Sequence, residues 1–292
     1  VTSPQLIVGP GAIGRLLAVR LAGVAPVTLL GRRAPPAELT LTTPEGHAFK
    51  RQLPGATPAS LDAPFRGTLH LTTKAYDAQT ALESLAAKLA PDTPLVLWQN
   101  GYGVQRTLTQ RWHGPVLCAT TSEGAYVSDD GVVHAGHGET FLGHLDGEHT
   151  DLAEQQAALL DQAGLRCRAV SDIHTRLWHK LAVNAAINPL VARWRIRNGQ
   201  LRDRPFRPLV EALLEELEAI MHAEGIAPPA EGWHGRMWQV IEGTANNRAS
   251  MLQDVLVGRP TEREAILGPL LAAARRHALE APRLSALYDG CD

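Results

Sequence analysis

Lysine is scarce in this chain. Of 28 basic residues only four are lysines: Lys50, Lys74, Lys88 and Lys180. Arginine supplies the ordinary surface charge, and arginine keeps its proton near neutral pH whereas lysine can release it. A lysine set inside an apolar helix therefore calls for a reason. Cysteine is scarce as well. Cys118, Cys167 and Cys291 form no metal spacing and no even disulfide framework, and they read as reduced thiols of a cytoplasmic protein. There is no basic run, and the net charge of −2 argues against nucleic acid as the main partner. No apolar run approaches the ~20 residues of a membrane span. The chain enters an apolar strand directly, without a basic segment and cleavage site, so no signal peptide is expected. Internal repeats and low-complexity tracts are absent too.

What is present suits a globular enzyme. The 292 residues allow two domains or one large one, and 45% hydrophobic with 20% charged residues fits a soluble fold. "QLIVGPGAIGRLLAVRLA" reads as strand, glycine turn and amphipathic helix, and "APVTLLGRR" as a second strand. "TLTTPEGHAFKRQLPGA" looks like a hairpin region. "GTLHLTTKAYD", "TPLVLWQNGYG", "PVLCATTSEGAY" and "GVVHAGHGETFLG" give further strands. Strands alternating with helices predict a parallel, doubly wound sheet. Beyond about residue 172 the strand signals fade, and helical patterns run over 172–200, 205–224, 232–247, 250–257 and 260–279. The expected organisation is an α/β N-terminal Rossmann-type domain over 1–170 and an all-α C-terminal domain over 171–292. The tail "LSALYDGCD" is expected to be partly frayed.

Gly9, Gly11 and Gly14 spell G-x-G-x-x-G directly after the first strand and at the start of a helix. The first glycine permits a tight turn. The second lets a pyrophosphate approach the backbone, and the third lets helix and strand pack closely. The helix N-terminus attracts phosphates, so this stretch predicts dinucleotide binding. An NAD site usually carries an acid about 20 residues further on, for the ribose 2′-hydroxyl. Here the second strand ends in Arg32-Arg33 with no acid, which favours the 2′-phosphate of NADP(H) over NAD; the alternative is a pair of solvated loop arginines. Lys74 and Asn100 follow the carboxyl ends of later strands, where ligands sit in such sheets. A lysine at a helix N-terminus is unhelpful to the dipole, which argues for a ligand role. The alternative for Asn100-Gly101 is a plain turn, but its place at the mouth of the expected cofactor cleft favours function.

The helix "LWHKLAVNAAINPL" is apolar nearly all round and reads as buried. Yet Lys180, Asn184 and Asn188 recur every four residues and share one face, together with Ile187. Buried polar groups are costly unless something hydrogen-bonds them. The alternatives are a lysine snorkelling to solvent with amides that cross-link helices, or a ligand. Pro189 disfavours helical geometry at Asn188, so a kink or break is expected there.

Together these pieces resemble the ketopantoate reductase (2-dehydropantoate 2-reductase) family, over almost the whole chain. The resemblance is carried by "GPGAIG", Arg32, "TTKAYDA", "QNGYG", "ATTSEGA", "LWHKLAVNAAINPL", "RNGQL" and "NNRASMLQDVLVGRPTE". It implies a Rossmann domain packed on a helical domain, with the active site in the cleft between them. It implies NADPH-dependent reduction of a small branched 2-oxo acid, with Lys180 as general acid. Asn100, Asn184, Asn188, Asn198 and Ser250 would bind the substrate, with Asn247 as a further candidate. Gly9, Gly11, Ala12, Ile13, Gly14, Arg32, Lys74, Asn100, Ala125 and Glu262 would lie against the cofactor. Asp77 stands where the pattern has glutamine, and Gln99 and Glu123 stand where it has histidine. These departures bear on substrate and nucleotide choice more than on the chemistry.

The chemistry accounts for the polar stripe. Hydride delivery to a ketone builds negative charge on oxygen, and a nearby ammonium stabilises that charge and supplies the proton. Burial moves a lysine's pKa toward the working pH. Ser250 and Glu262 have structural readings too. "SMLQ" is a capping-box pattern, and an acid beside Pro260 favours a helix N-terminus regardless of function. The histidines of "WHK", "HGRMW" and "HAGHG" show no ligand spacing with an acid, so no metal is expected. A homodimer is left open. The rival readings are a paralogous reductase of another 2-oxo acid or ketone, and a non-catalytic NADP-binding sensor.

Overall fold

The computed structural model describes residues 2–290, which leaves Cys291 outside them. The chain divides into two units: 1–99 with 104–174, and 100–103 with 175–292.

The first unit holds every strand found among the described residues. β1 (Gln5–Val8) leads through the glycine loop into α1 (Ala12–Leu21) and β2 (Val27–Leu30). β3 (Glu38–Thr42) and β4 (Ala48–Gln52) form the expected antiparallel hairpin, followed by the short β5 (Gly55–Ala56). Then come β6 (Thr68–Leu71), α2 (Ala75–Glu83), β7 (Leu95–Leu97), α3 (Val104–Arg111), β8 (Val116–Thr121), β9 (Gly124–Ser128), β10 (Gly131–Gly136), β11 (Thr140–Gly143), α4 (Thr150–Gln162) and β12 (Cys167–Ala169). "GVVHAGHGETFLG" is thus two strands rather than one.

The large sheet has the order β12-β11-β8-β7-β6-β1-β2-β5. It is parallel from β8 to β5, and β11 joins β8 antiparallel. β1 and β6 are buried along their whole length, as expected of parallel strands covered on both faces. Val8 pairs with both Leu30 and Leu71, so the carboxyl ends of β1, β2 and β6 are level. β1 lies where the strand order reverses, the position at which such sheets bind ligands. A second sheet, β4-β3-β10-β9, packs on α1 together with the first.

The second unit is helical. It contains α5 (Ile173–Trp194, from Thr175), α6 (Phe206–Ala223), α7 (Gly232–Gly243), α8 (Ser250–Leu256), α9 (Arg263–Arg276) and α10 (Pro282–Asp289). Leu181, Ala185 and Val191 pack with Leu213, Leu217, Met237, Ile241, Leu267 and Leu270 in its core. Among the described residues no helix is long and apolar enough to cross a membrane.

Three local expectations are corrected. Of the kink or break expected at Pro189, the break does not occur, and α5 runs through it; proline removes one donor and disfavours the helix, but buried neighbours along the helix hold it. α5 ends at Trp194 rather than near 200. Arg195 turns left-handed (φ 51°), Ile196 N–H donates back to Val191 O at 3.1 Å, and a short 3₁₀ turn, Asn198–Arg202, follows. Most of the tail expected to be partly frayed forms α10, while Cys291 and Asp292 lie outside the described residues. Leu284 and Leu287 are buried in the helical core, and the Glu216 carboxylate of α6 accepts hydrogen bonds from the Arg283 and Leu284 amides at 2.9 and 3.0 Å.

Candidate active site

The glycine loop is shaped by close approaches. Gly9 has φ +111°, and a Cβ there would lie 2.8 Å from Thr73 N. A Cβ on Gly14 would lie 1.9 Å from Gly9 O, so only glycine lets α1 seat on the loop. Gly11, by contrast, is exposed with nothing within 4 Å of its Cβ position. It is the N-cap of α1, and no side chain caps the helix. The helix start, with Ala12 and Ile13 half-buried behind it, therefore presents uncapped amides beside open space. That cradle fits a pyrophosphate.

Arg32 stands two residues beyond β2, its side chain 92% exposed, with Nη2 at 3.9 Å from Asp77 Oδ2 on the first turn of α2. Lys74 is half-buried at the N-cap of α2. Its loop is held by Gln99, whose Nε2 donates to Leu71 O and Thr73 O at 2.8 and 3.1 Å. Ala125 lies on β9 opposite His134 and packs on the core of the first unit.

In the helical unit, Lys180, Asn184 and Asn188 share a face of α5 as their spacing predicts. Lys180 and Asn184 are half-buried, and Asn188 is 6% exposed. Burial pulls the Lys180 ammonium down to about 8, against the negative charge of Glu262, which raises it. Glu262 is itself buried, at the N-cap of α9. The residue that the resemblance set against the cofactor thus acts electrostatically on the proposed proton donor.

Asn100 belongs to this unit too. Its loop is clamped by α9: a Cβ on Gly101 (φ +82°) would lie 2.2 Å from Ala265 O, and Tyr102 N–H donates to the same oxygen at 3.0 Å. The Tyr102 ring packs on Trp178 of α5, centroids 5.1 Å apart. Asn100 is thereby anchored to the two helices that carry Lys180 and Glu262. Asn198 is 6% exposed, donates from Nδ2 to Thr244 Oγ1 at 2.9 Å and joins Asn247 O through its backbone; its Oδ1 is buried with no partner among the described residues. The Asn247 side chain is exposed. The capping box at Ser250 does not form. Ala249 is the N-cap, Ser250 is the first helical residue, and Gln253 Nε2 donates to Arg248 O instead.

Sequence spacing did not reveal the Glu123 cluster. His134, fully buried, sits 2.6 Å from Glu123 Oε2, and Arg20 donates to its Nδ1 at 3.1 Å. Arginine can only donate, so the ring proton is on Nε2. Burial opposes ionisation of Glu123, but the bonds from His134 and the Gly138 amide outweigh it and hold its carboxyl below the ordinary value. Glu123, His134 and His137 bring ligand-type atoms within 4.8 Å of one another, as do His144, Glu148 and His149. A metal-bound neutral imidazole keeps its proton on the other nitrogen, facing an acceptor. Here Nδ1 of His134 faces a guanidinium and Nδ1 of His144 accepts the Asp146 amide. Both groups suit hydrogen bonding better than a metal.

A level sheet edge with an open glycine cradle makes the first unit a Rossmann-type domain, and the second unit is a helical domain. The chain belongs to the ketopantoate reductase family. The family models match residues 5–147 (ketopantoate reductase PanE/ApbA) and 172–290 (its C-terminal domain). The chain is 36% identical over 290 residues to the 2-dehydropantoate 2-reductase of Vibrio cholerae serotype O1, covering 97% of this chain and 95% of that one. It is 33% identical over 288 residues to the Escherichia coli O157:H7 protein of the same name, covering 97% and 92%. The solved 2-dehydropantoate 2-reductase of Geobacter metallireducens superposes with a TM-score of 0.88 at 26% identity, covering 99% and 98%.

Proposed function

We propose that this protein reduces a small branched 2-oxo acid, 2-dehydropantoate foremost, to the 2-hydroxy acid pantoate with NADPH. This is a reaction of pantothenate synthesis. The observation that carries the reading is the Lys180 ammonium, lowered to about 8 by burial on a face shared with Asn184 and Asn188. A bound nicotinamide nucleotide supplies the hydride. Lys180 stabilises the charge that grows on the carbonyl oxygen and delivers the proton there, help worth ~10²–10⁴-fold. Glu262 favours the protonated amine, against the larger effect of burial. Asn184, Asn188 and Asn100 are neutral donors and acceptors for carboxylate and hydroxyl, and do not compete for the proton. Ser250 leads α8 with its hydroxyl outside any cap and extends this set. In the first unit, Gly9, Gly11, Ala12, Ile13 and Gly14 receive the pyrophosphate and Arg32 the 2′-phosphate. The buried free thiols Cys118 and Cys167 support a reducing, cytoplasmic setting.

The test is NADPH and NADH oxidation against a panel of 2-oxo acids. Turnover with 2-dehydropantoate above its straight-chain analogues is expected. Nucleotide binding without turnover of any 2-oxo acid would overturn the reading in favour of a sensor.

A further inference from the structure

Arg15, one residue past the glycine fingerprint, does more than solvate a helix. Its Nε donates to Pro10 O at 2.9 Å and its Nη1 to Gly131 O at 3.0 Å, at the start of β10. Gly131 is pressed on β3, where a Cβ would lie 1.9 Å from Thr40 O, so this second anchor is fixed by the small sheet.

The effect on the loop follows from peptide geometry. The Pro10–Gly11 bond is trans, since the cis bonds are Ala63–Pro64 and Arg204–Pro205. A trans peptide points its C=O and N–H in opposite directions. Holding Pro10 O on the guanidinium therefore turns the Gly11 N–H away from Arg15. The neighbouring carbonyls are occupied as well. Gly9 O accepts from Thr72 Oγ1 at 2.8 Å, and Gly11 O accepts the Arg15 amide at 2.9 Å. Gly9 N–H already donates to Leu30 O, and proline has none to offer. All three loop carbonyls thus face protein, and the Gly11 amide is the one loop donor left for an anion.

We propose that Arg15 is a positioning residue for cofactor binding. It ties the loop to the second sheet and turns the Pro10–Gly11 peptide so that the Gly11 amide faces the pyrophosphate. The proposal rests on the dinucleotide reading given above. It assigns the β3–β4–β9–β10 sheet a task, as the anchor that holds the phosphate loop in its binding form.

The experiment uses Arg15→Met, which removes the donors, and Arg15→Lys, which keeps the charge but loses the fork. The readouts are NADPH titration, titration with adenosine 2′-monophosphate, which has no pyrophosphate, steady-state kinetics and a thermal melt. Arg15→Met is expected to weaken NADPH roughly 10-fold, the loss of one hydrogen bond to a charged partner. Binding of adenosine 2′-monophosphate should hold, and kcat at saturating NADPH should stay near wild type while KM for NADPH rises. Arg15→Lys should recover only part of the loss, and it carries the test alone if Arg15→Met does not fold. Equal NADPH affinity in the folded variants, equal loss for both ligands, or full recovery with lysine would overturn the proposal. If the wild-type protein binds neither NADPH nor NADH, the dinucleotide reading falls and this inference with it.

Discussion

Lys180 occupies a position where its charge is costly and useful at once. With its pKa at about 8, the amine is mostly protonated at pH 7 and can release a proton within the working range. Lys180→Ala should lower kcat by ~10²–10⁴-fold with NADPH affinity nearly unchanged. Lys180→Arg should rescue little, because charge returns without a transferable proton. Steady-state kinetics beside NADPH titration checks both, and near-normal turnover in a folded Lys180→Ala protein would return the stripe to a structural role. The wild-type rate should fall as pH rises through about 8, where the donor is lost. Arg32 gives a second prediction. Asp77 stands 3.9 Å from its guanidinium and, on the proposed reading, would compete with a 2′-phosphate for it. Asp77→Asn should tighten NADPH several-fold and leave NADH unchanged, most clearly at low salt, since exposed charges are screened. Equal effects on both nucleotides in titration would remove Arg32 from 2′-phosphate recognition.

At the scale of elements, strongly periodic segments were legible and their ends were not. The glycine fingerprint, the hairpin of β3 and β4 and the five long helical patterns rest on local residues, and local physics set them. α10 was not legible because its cap comes from Glu216, far away in the sequence on α6. The Ser250 box pattern was legible but misleading, since Gln253 bonds to Arg248 O rather than to the cap. Glu262 read equally well as a helix-end acid and as a cofactor neighbour; only folding set its charge against Lys180. The cluster of Glu123 in the β8–β9 turn, His134 on β10 and Arg20 on α1 joins three separate stretches of chain, which no spacing rule spans. The cap yields a test. Glu216→Ala leaves the buried Leu284 amide and the part-buried Arg283 amide without their acceptor, a cost of about 1–3 kcal/mol at most for the buried one. Amide hydrogen exchange over 283–288 should quicken much more than in α5, and unchanged protection there would show that leucine packing alone holds α10.

For the molecule as a whole, the fold class was readable because each half obeys one period, alternating strand and helix first and helix alone after. The stability of the whole should also register the buried amine. A lysine whose folded pKa lies below its unfolded value of 10.5 destabilises the fold when charged. That cost is fully present below about 8 and fades as pH rises toward 10.5. The melting temperature of Lys180→Met relative to wild type should therefore be higher at pH 7 than at alkaline pH. A difference independent of pH would mean that burial does not govern this group.

The short loop 100–103 has an evolutionary consequence. The chain passes from one unit to the other three times, at 99/100, 103/104 and 174/175. The helical half is therefore not a self-contained cassette. A recombination crossover at 174 between two relatives would bring in foreign counterparts of Trp178 and Ala265 while leaving the native Tyr102 and Gly101 to meet them. Inheritance of the two halves should be coupled through four residues that lie far upstream in the gene. Chimeras that exchange 175–290 alone should melt lower than chimeras that also exchange 100–103.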